Sequence, residues 1–223
     1  MALTPFNAAA SGRLERVQFA LTETGIGSTA GLWFVLSTLY RHLPERLSHA
    51  QRVAKMARAI AGQMGKASLE ADHIERAALA HEIGAIVVPD PPAGRPIEEG
   101  AMRAKASEQA LAGARALAVT SFLEPAARIV RAMPEWIDGS GQPSGLCGEA
   151  IPMGGRIVAV ADVFDVMDAT CQQLGWPRDL AAVELVRYAG RRFDADVVAA
   201  ALRVVEAVPT EVDQSVADAR QVV

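Results

Sequence analysis

Residues 136–165 have the sequence WIDGSGQPSGLCGEAIPMGGRIVAVADVFD, which joins a loop dense in glycine and proline to an apolar segment that carries carboxylates. The glycines of the loop permit positive φ and close backbone approach, while its prolines stiffen the path. This composition predicts a shaped loop rather than a flexible linker, and shaped loops often carry function. The apolar segment that follows predicts a long helix over about 155–172.

The composition predicts an all-α fold. Hydrophobic residues make up 51% of the chain and aromatic residues only 5%, so small aliphatic side chains dominate, which favours closely packed helices. With 223 residues the chain suits one domain, or one domain with a short extension. The net charge of −4 gives no reason to expect a nucleic-acid polymer or an acidic membrane surface as partner, although local arginines leave room for small anions.

Cysteine usage and hydropathy bear on location. Cys147 and Cys171 form neither a metal-binding spacing nor a disulfide framework, which indicates reduced thiols and predicts a cytoplasmic protein. The most membrane-like stretch, residues 29–40, is shorter than the roughly 20 apolar residues that a bilayer-spanning helix needs. It also lacks the basic N-terminus of a signal peptide. We interpret it as a buried or partner-facing helix.

Apolar periodicity, caps and breakers predict the other helices. The first is expected to start at Ser11 or Gly12, Ser68 to cap the fourth, and Asp194 to cap the last. The Pro-rich stretch 89–96 cannot propagate a helix. Besides the helix after the Gly-rich loop, the predicted ranges are about 29–42, 45–64, 68–84, 97–119, 123–132, 180–188 and 195–205.

Read with His49 and the adjacent His81 and Glu82, the block 136–165 resembles the HD-GYP family, the HD-superfamily phosphodiesterases that hydrolyse cyclic di-GMP at a metal centre. The resemblance covers roughly residues 45–205 and implies an HD-superfamily multi-helix bundle. We therefore expect an N-terminal helical extension (1–44), an HD-GYP-like helical domain (45–206) and a C-terminal tail (207–223). The extension either forms a dimer or partner surface or packs on the core of the same domain.

The resemblance implies a set of metal ligands. Such hydrolases hold metal with a first histidine, a later His-Asp pair and a still later aspartate, and the matching positions are His49, His81, Glu82 and Asp162. Imidazoles and carboxylates together suit one divalent ion such as Fe or Mn that activates water against phosphate. Taken singly, His49 is also explained as an interfacial polar residue, and His81 as an imidazolium at a helix C-terminus. Asp162 argues most strongly for a site, because a carboxylate in an apolar helix is costly unless paired or metal-bound.

Groups that the family uses for further metals and for its substrate are replaced in this chain. Met133 and Pro134 stand where the family has two adjacent histidines, Ala85 where it has a lysine, and Gln142 where it has the tyrosine of Gly-Tyr-Pro. No histidine occurs after His81. We therefore expect at most a mononuclear centre, weak or absent metal, no further catalytic residues, and no hydrolysis of cyclic di-GMP.

The leading hypothesis is a catalytically degenerate HD-GYP-like domain that acts as a signalling or protein-interaction module in bacteria. The resemblance implies a response regulator, a histidine kinase or a diguanylate cyclase as its partner, and a homodimer is also considered. The alternative is a mononuclear metal-dependent phosphohydrolase of a nucleotide or other phosphate ester, so enzymatic activity stays open. A receptor that binds cyclic di-GMP without hydrolysis is disfavoured, because phosphate recognition needs the missing cationic donors.

Side chains around the Gly-rich loop are expected to have structural roles. Trp136, Asp138 and Arg156 should brace the loop by satisfying its backbone groups. Asp165 and Asp168 continue the helix after Asp162, and we expect each to be solvated or to bond as a cap.

Overall fold

The structure is a computed structural model that describes residues 8–41, 43–90, 98–177 and 179–206. Within these ranges the chain forms helices and turns, and the one pairing of extended backbone is a bridge between Ala189 and Phe193. The all-α prediction is confirmed. The helices are α1 (Ala8–Glu23), α2 (Thr29–Leu39), α3 (Pro44–Gln63), α4 (Ser68–Ala80), α5 (Ile83–Val87), α6 (Glu99–Leu117), α7 (Glu124–Ala132), a 3-10 turn (Gly148–Ala150), α8 (Met153–Leu174), α9 (Asp179–Arg187) and α10 (Ala195–Glu206).

Helices α3, α4 and α8 form the centre of the bundle and contact one another along their apolar faces. Ile60, Ile74 and Ile157, one from each helix, are fully buried in the same core. Helix α7 packs against α4 and α8, and α10 against α3 and α8, while α6 covers α5 and α7. Because burial of large aliphatic side chains is the main stabilising contribution to folding, this three-helix centre fixes the relative positions of the polar groups that α3 and α8 carry.

Helices α1 and α2 pack on the same core. Leu21, Leu32 and Leu36 are fully buried within it. Arg13 Nε also donates a hydrogen bond of 2.8 Å to the carbonyl of Val87. The described part of the N-terminal extension therefore packs on the domain, as one of its two expected roles requires. Its use as a dimer or partner surface and the domain boundaries stay predictions, and the tail 207–223 lies outside the described residues.

The helix predicted over 68–84 is interrupted. It ends at Ala80, and a turn at His81 and Glu82 leads into the short helix α5. In α5 the backbone of Gly84 lies so close to α6 that an added Cβ would be 1.9 Å from the carbonyl oxygen of Gln109. This break arises from the packing of α5 against α6, and the apolar periodicity of a single helix cannot reveal such packing.

Other details at the helix ends also differ from the predictions. Ser68 is the first helical residue of α4 and makes no side-chain cap, so the cap prediction there was wrong. Asp194, in contrast, accepts a hydrogen bond of 2.9 Å from the backbone N–H of Asp196, as predicted for a cap. Helix α1 begins at Ala8, earlier than expected, and α2 ends at Leu39. The predicted end at residue 42 and most of the Pro-rich stretch, residues 91–96, lie outside the described residues.

Two predictions on thiols and membranes can be compared with the structure. Cys147 and Cys171 are both free thiols, as their spacing indicated. None of the helices in the described ranges is long and apolar enough to cross a membrane.

Candidate metal centre

The four ligand candidates come together from three parts of the bundle. His49 lies in the second turn of α3, His81 and Glu82 in the turn between α4 and α5, and Asp162 in the middle of α8. His49 Nε2 is 3.3 Å from His81 Nε2 and 3.1 Å from Asp162 Oδ1, which is 3.5 Å from His81 Nε2. One potential ligand atom each of His49, His81 and Glu82 lies within 4.8 Å of the other two.

The other ring nitrogen of each histidine is held by an acceptor. His81 Nδ1 is 2.7 Å from the carbonyl oxygen of Ala78, which can only accept, so this nitrogen donates. His49 Nδ1 is 2.8 Å from Asp165 Oδ2 and donates to that carboxylate. In their neutral forms both imidazoles therefore direct the lone pair of Nε2 into the cluster. A hydrogen bond from the distal nitrogen is also how metal-binding histidines are usually oriented.

This arrangement needs positive charge between the side chains. Two lone pairs 3.3 Å apart, next to a carboxylate oxygen, repel one another unless a proton or a metal ion lies between them. The cluster is also short of solvent, since the side chain of His81 is 6% exposed and that of His49 is 14% exposed. The donor set of two imidazoles and two carboxylates fits a divalent ion.

The shifted pKa values of the histidines and of Asp162 also indicate that the cluster favours a bound positive charge. Burial alone would lower the pKa of His49, but hydrogen bonds with Asp162 and Asp165 and the charge of Glu82 raise it to about 9. The pKa of His81 is also raised, against the effect of burial, chiefly by Asp162. Burial would raise the pKa of Asp162, yet the two histidines hold it below its usual range. Without metal, the cluster therefore retains protons at neutral pH.

Asp165 is a site residue that the sequence reasoning missed. It was expected to be solvated or to bond as a cap, but it is buried and its two oxygens accept from Arg52 Nε at 2.7 Å and Arg52 Nη2 at 2.9 Å, besides His49 Nδ1. The signal lies in the spacing: Asp162 and Asp165 are three residues apart on α8, as His49 and Arg52 are on α3. Residues at this spacing share a helix face, so one pair can face the other.

Glu82 has one occupied and one unoccupied carboxylate oxygen. Oε1 accepts a hydrogen bond of 2.9 Å from Arg46 Nη1, and Arg46 is paired with Asp90 through its other terminal nitrogen. Oε2 is buried and has no hydrogen-bond partner among the residues that the structure describes. An unpartnered buried carboxylate oxygen beside two imidazoles fits the role of a metal ligand.

The sequence profile of the HD domain matches residues 35–197. The chain belongs to the HD-domain family. It is 37% identical over 161 residues to the cyclic di-GMP phosphodiesterase response regulator RpfG of Xanthomonas campestris pv. campestris, a match that covers 69% of this chain and 42% of that protein. It is 34% identical over 158 residues to the 3'3'-cGAMP-specific phosphodiesterase 2 of Vibrio cholerae, covering 68% of this chain and 30% of that protein. The chain thus spans less than half the length of these two relatives.

A solved structure with the same fold is Bd1817, an HDG"Y"P protein of Bdellovibrio bacteriovorus. It superimposes with a TM-score of 0.60 at 14% sequence identity, covering 88% of this chain and 71% of that one. At such low identity the likeness concerns the fold. The resemblance to HD-GYP proteins and the expected HD-superfamily bundle are confirmed by these comparisons.

Three positions at which the HD-GYP resemblance implies a lysine and two histidines line one cavity beside the candidate metal cluster. The cavity measures about 200 Å³, and His81, Glu82 and Asp162 form part of its wall. Ala85, Met133 and Pro134 occupy these positions and line the same cavity. Arg192 also lines it, a contribution for which the sequence offered no motif. These three side chains therefore lie next to the candidate ligands.

The Gly-rich loop is held from both ends. Asp138 Oδ1 accepts hydrogen bonds from the backbone N–H and the hydroxyl of Ser140, and Arg156 Nε donates to the carbonyl of Ile151 at 2.9 Å, as expected for bracing residues. Trp136 is covered by the guanidinium of Arg103, whose Cζ lies 4.2 Å from the ring centroid.

Glu135 makes a contribution to the loop that was not predicted. It is buried, and its carboxylate accepts from the backbone N–H groups of Ser144 at 2.7 Å and Leu146 at 3.1 Å. A buried carboxylate that satisfies two backbone donors fixes the loop path more firmly than glycine and proline content alone.

Proposed function

We propose that this HD domain is a mononuclear metal-dependent phosphohydrolase of a small phosphate ester or nucleotide. One observation carries the proposal: the Nε2 atoms of His49 and His81 lie close to each other and to a carboxylate oxygen of Asp162, and a ligand atom of Glu82 lies within 4.8 Å of one from each imidazole, a donor set that suits a divalent ion. Of the functions considered for this HD domain, metal-dependent phosphate hydrolysis is the one that uses every group in the cluster. A divalent ion held there supplies Lewis-acid chemistry toward phosphate and activates water.

The chain's own residues supply orientation and exclusion of solvent. Asp165 and the carbonyl of Ala78 keep the two imidazoles in the tautomer that presents Nε2. Arg52 holds Asp165 in place through two hydrogen bonds. Such partners around the ligands commonly change metal affinity by roughly 10- to 100-fold when they are removed.

The cavity size favours a small substrate over a whole cyclic dinucleotide. Pockets that enclose drug-sized ligands measure roughly 300 to 1,000 Å³. The cavity beside the cluster measures about 200 Å³, and Met133 and Pro134 stand where additional imidazoles would be needed for more metal. We infer that the relatives named for cyclic dinucleotides share the scaffold with this chain, while its substrate is a smaller phosphate ester.

Elemental analysis of protein purified without chelator tests the proposal. We expect close to one equivalent of a divalent first-row ion, such as Fe or Mn, and its loss in His81→Ala. His73→Ala is the matched control, because His73 lies on the preceding helix α4 and outside the cluster. Metal with turnover of phosphate esters, lost in His81→Ala, would support the phosphohydrolase. Protein without metal in every preparation, even after incubation with Mn²⁺ or Fe²⁺, would contradict it.

The second candidate is a catalytically degenerate signalling or protein-interaction module. It is supported by the replacement of cavity residues at Ala85, Met133 and Pro134, which removes cationic and metal-binding groups at once. Its partners by resemblance are a response regulator, a histidine kinase or a diguanylate cyclase, or a second copy of the chain, and RpfG is by name a response regulator. Metal-loaded protein that turns over neither phosphate esters nor cyclic di-GMP, yet binds one of these partners in calorimetry, would favour this candidate.

A further inference from the structure

An arginine lines the same cavity as Ala85, the position at which the resemblance implies a lysine. Arg192 lies in the turn between α9 and α10 and lines the cavity together with Glu82 and Asp162. The turn is tied to the Gly-rich loop by two backbone hydrogen bonds, from the N–H of Ile137 to the carbonyl of Arg192 at 3.2 Å and from the N–H of Asp138 to the carbonyl of Arg191 at 3.1 Å. The position of Arg192 is therefore fixed by the loop that borders the site.

Packing also anchors this turn. The side chain of Phe193 is buried, and the Cζ atom of Arg192 lies 4.9 Å from its ring centroid and 5.8 Å from that of Trp136. Aromatic faces on two sides restrict the conformations of a long side chain and reduce the entropy that binding would cost. Arg192 is thus pre-organised at the cavity wall.

The charge of Arg192 is not neutralised by a direct contact. Within the described part of the chain, its guanidinium has ring contacts but no hydrogen bond or ion pair with a carboxylate. Burial lowers the pKa of Arg192, against the charge of Asp162, although an arginine stays protonated in proteins. A cation that has lost part of its water and lacks an anionic partner gains most from an anion that enters the cavity.

A second guanidinium stands nearby. Arg103 covers the same Trp136 ring and donates to the carbonyl of Ser140. With Arg191, whose Cζ atom lies 5.9 Å from the ring centroid, three guanidinium groups surround one indole and repel one another, and an anion between cavity and loop relieves that repulsion. The planar fork of arginine also matches phosphate oxygens better than the point charge of lysine does.

We propose that Arg192 binds the phosphate group of the substrate and so replaces, from a different helix connection, the cationic group that Ala85 no longer provides. This inference rests on the proposed function, because it assigns the anion-binding side of the same cavity. It makes the substrate class a phosphate ester whose free phosphate oxygens reach the cavity wall, and it gives this HD domain a specificity residue outside the metal-binding positions.

The test is titration calorimetry with inorganic phosphate, on metal-free and on Mn²⁺-loaded protein. Arg192→Gln should weaken phosphate binding at least about tenfold in both forms, since a charge-assisted contact contributes roughly 1.5 to 3 kcal/mol. Arg191→Gln is the matched control: it removes the same charge from the neighbouring residue, which is mostly exposed and does not line the cavity. Its phosphate affinity should stay within about twofold of the wild type.

Three outcomes overturn the inference: wild-type protein that binds no phosphate, Arg192→Gln protein that binds it as the wild type does, or an equal loss in Arg191→Gln. Thermal unfolding checks that each variant is folded. If Arg192→Gln does not fold, Arg192→Met takes its place, because methionine keeps an apolar side chain against Phe193. Bound Mn²⁺ is counted on the same samples. If the protein binds metal but Arg192→Gln binds phosphate as the wild type does, only this inference is refuted. If Arg192→Gln weakens phosphate binding but the protein takes up no metal, only the phosphohydrolase is refuted.

Discussion

Asp165 connects the candidate ligand His49 to Arg52, and its carboxylate is fully used by these two side chains. We predict that Asp165→Asn lowers Mn²⁺ affinity by roughly 10- to 100-fold, because the amide has no charge and only one acceptor oxygen for both His49 and Arg52. Equilibrium dialysis measures the effect. Asp168→Asn serves as the control one turn further along α8, where Asp168 accepts from Gln172. Unchanged affinity in Asp165→Asn would mean that His49 is oriented by something else.

Tyr40 offers a test of an unpaired polar group near the site. Its hydroxyl is buried without a hydrogen-bond partner among the described residues, and burial together with the charge of Glu82 raises its pKa. Tyr40→Phe should leave the free energy of unfolding unchanged or raise it by about 1 kcal/mol, because it removes an unsatisfied hydroxyl and keeps the ring. Urea unfolding measures this. A loss above about 1 kcal/mol would reveal a bond that the hydroxyl makes in solution.

At the level of residues, the sequence predicted which groups could be ligands better than it predicted what surrounds them. His49, His81, Glu82 and Asp162 could be found because each matches a family motif. The partners of these residues follow no motif. Asp165 meets Arg52 across 113 positions of sequence, and Arg192 enters the cavity from a short turn. Such contacts depend on how helices pack, which a single sequence does not state.

At the level of elements, helix existence was predictable and helix interruption was not. Helices α3, α7 and α10 lie within two residues of their predicted ranges, because apolar spacing, Pro44 and Asp194 act locally. The break between α4 and α5 depends on α6 instead, since the backbone at Gly84 nearly touches the backbone at Gln109. Because His81 and Glu82 form the turn at that break, the packing of α5 against α6 determines their backbone positions.

Gly84 is therefore predicted to be intolerant of a side chain. A Cβ at this position would lie 1.9 Å from the carbonyl oxygen of Gln109, so Gly84→Ala must separate α5 from α6. We expect a loss of roughly 1 to 3 kcal/mol in the free energy of unfolding, as for other overpacked cores. Chemical denaturation followed by circular dichroism measures it.

Gly62 provides the matched control for that substitution. It lies in α3, and an added Cβ there would have no neighbour within 4 Å. Gly62→Ala should raise stability by about 0.5 to 1 kcal/mol, through the higher helix propensity of alanine. Equal effects of the two substitutions would show that the contact between α5 and α6 is looser than described.

At the level of the whole molecule, the bundle holds four charged or titratable groups together against their mutual repulsion. Without metal, protons bound by the cluster supply the positive charge, and the interactions that raise the pKa of His49 to about 9 favour its protonated form at neutral pH. The folded-state pKa lies above the unfolded value of about 6.5. The stability that this proton contributes is therefore fully present below pH 6.5 or so and lost as the pH rises through about 9.

A divalent ion must displace these protons, so the metal and the protons compete for the same positions. We predict that the rise in Tm caused by excess Mn²⁺ is small near pH 6 and larger near about pH 8.5, while the Tm of the metal-free protein falls over the same interval. Thermal unfolding with and without Mn²⁺ at several pH values measures both trends. In His81→Ala the metal-dependent rise should disappear at every pH, because one of the two imidazoles is gone. A rise of the same size at every pH in the wild-type protein would show that the ion binds elsewhere, at groups that hold no proton in this range.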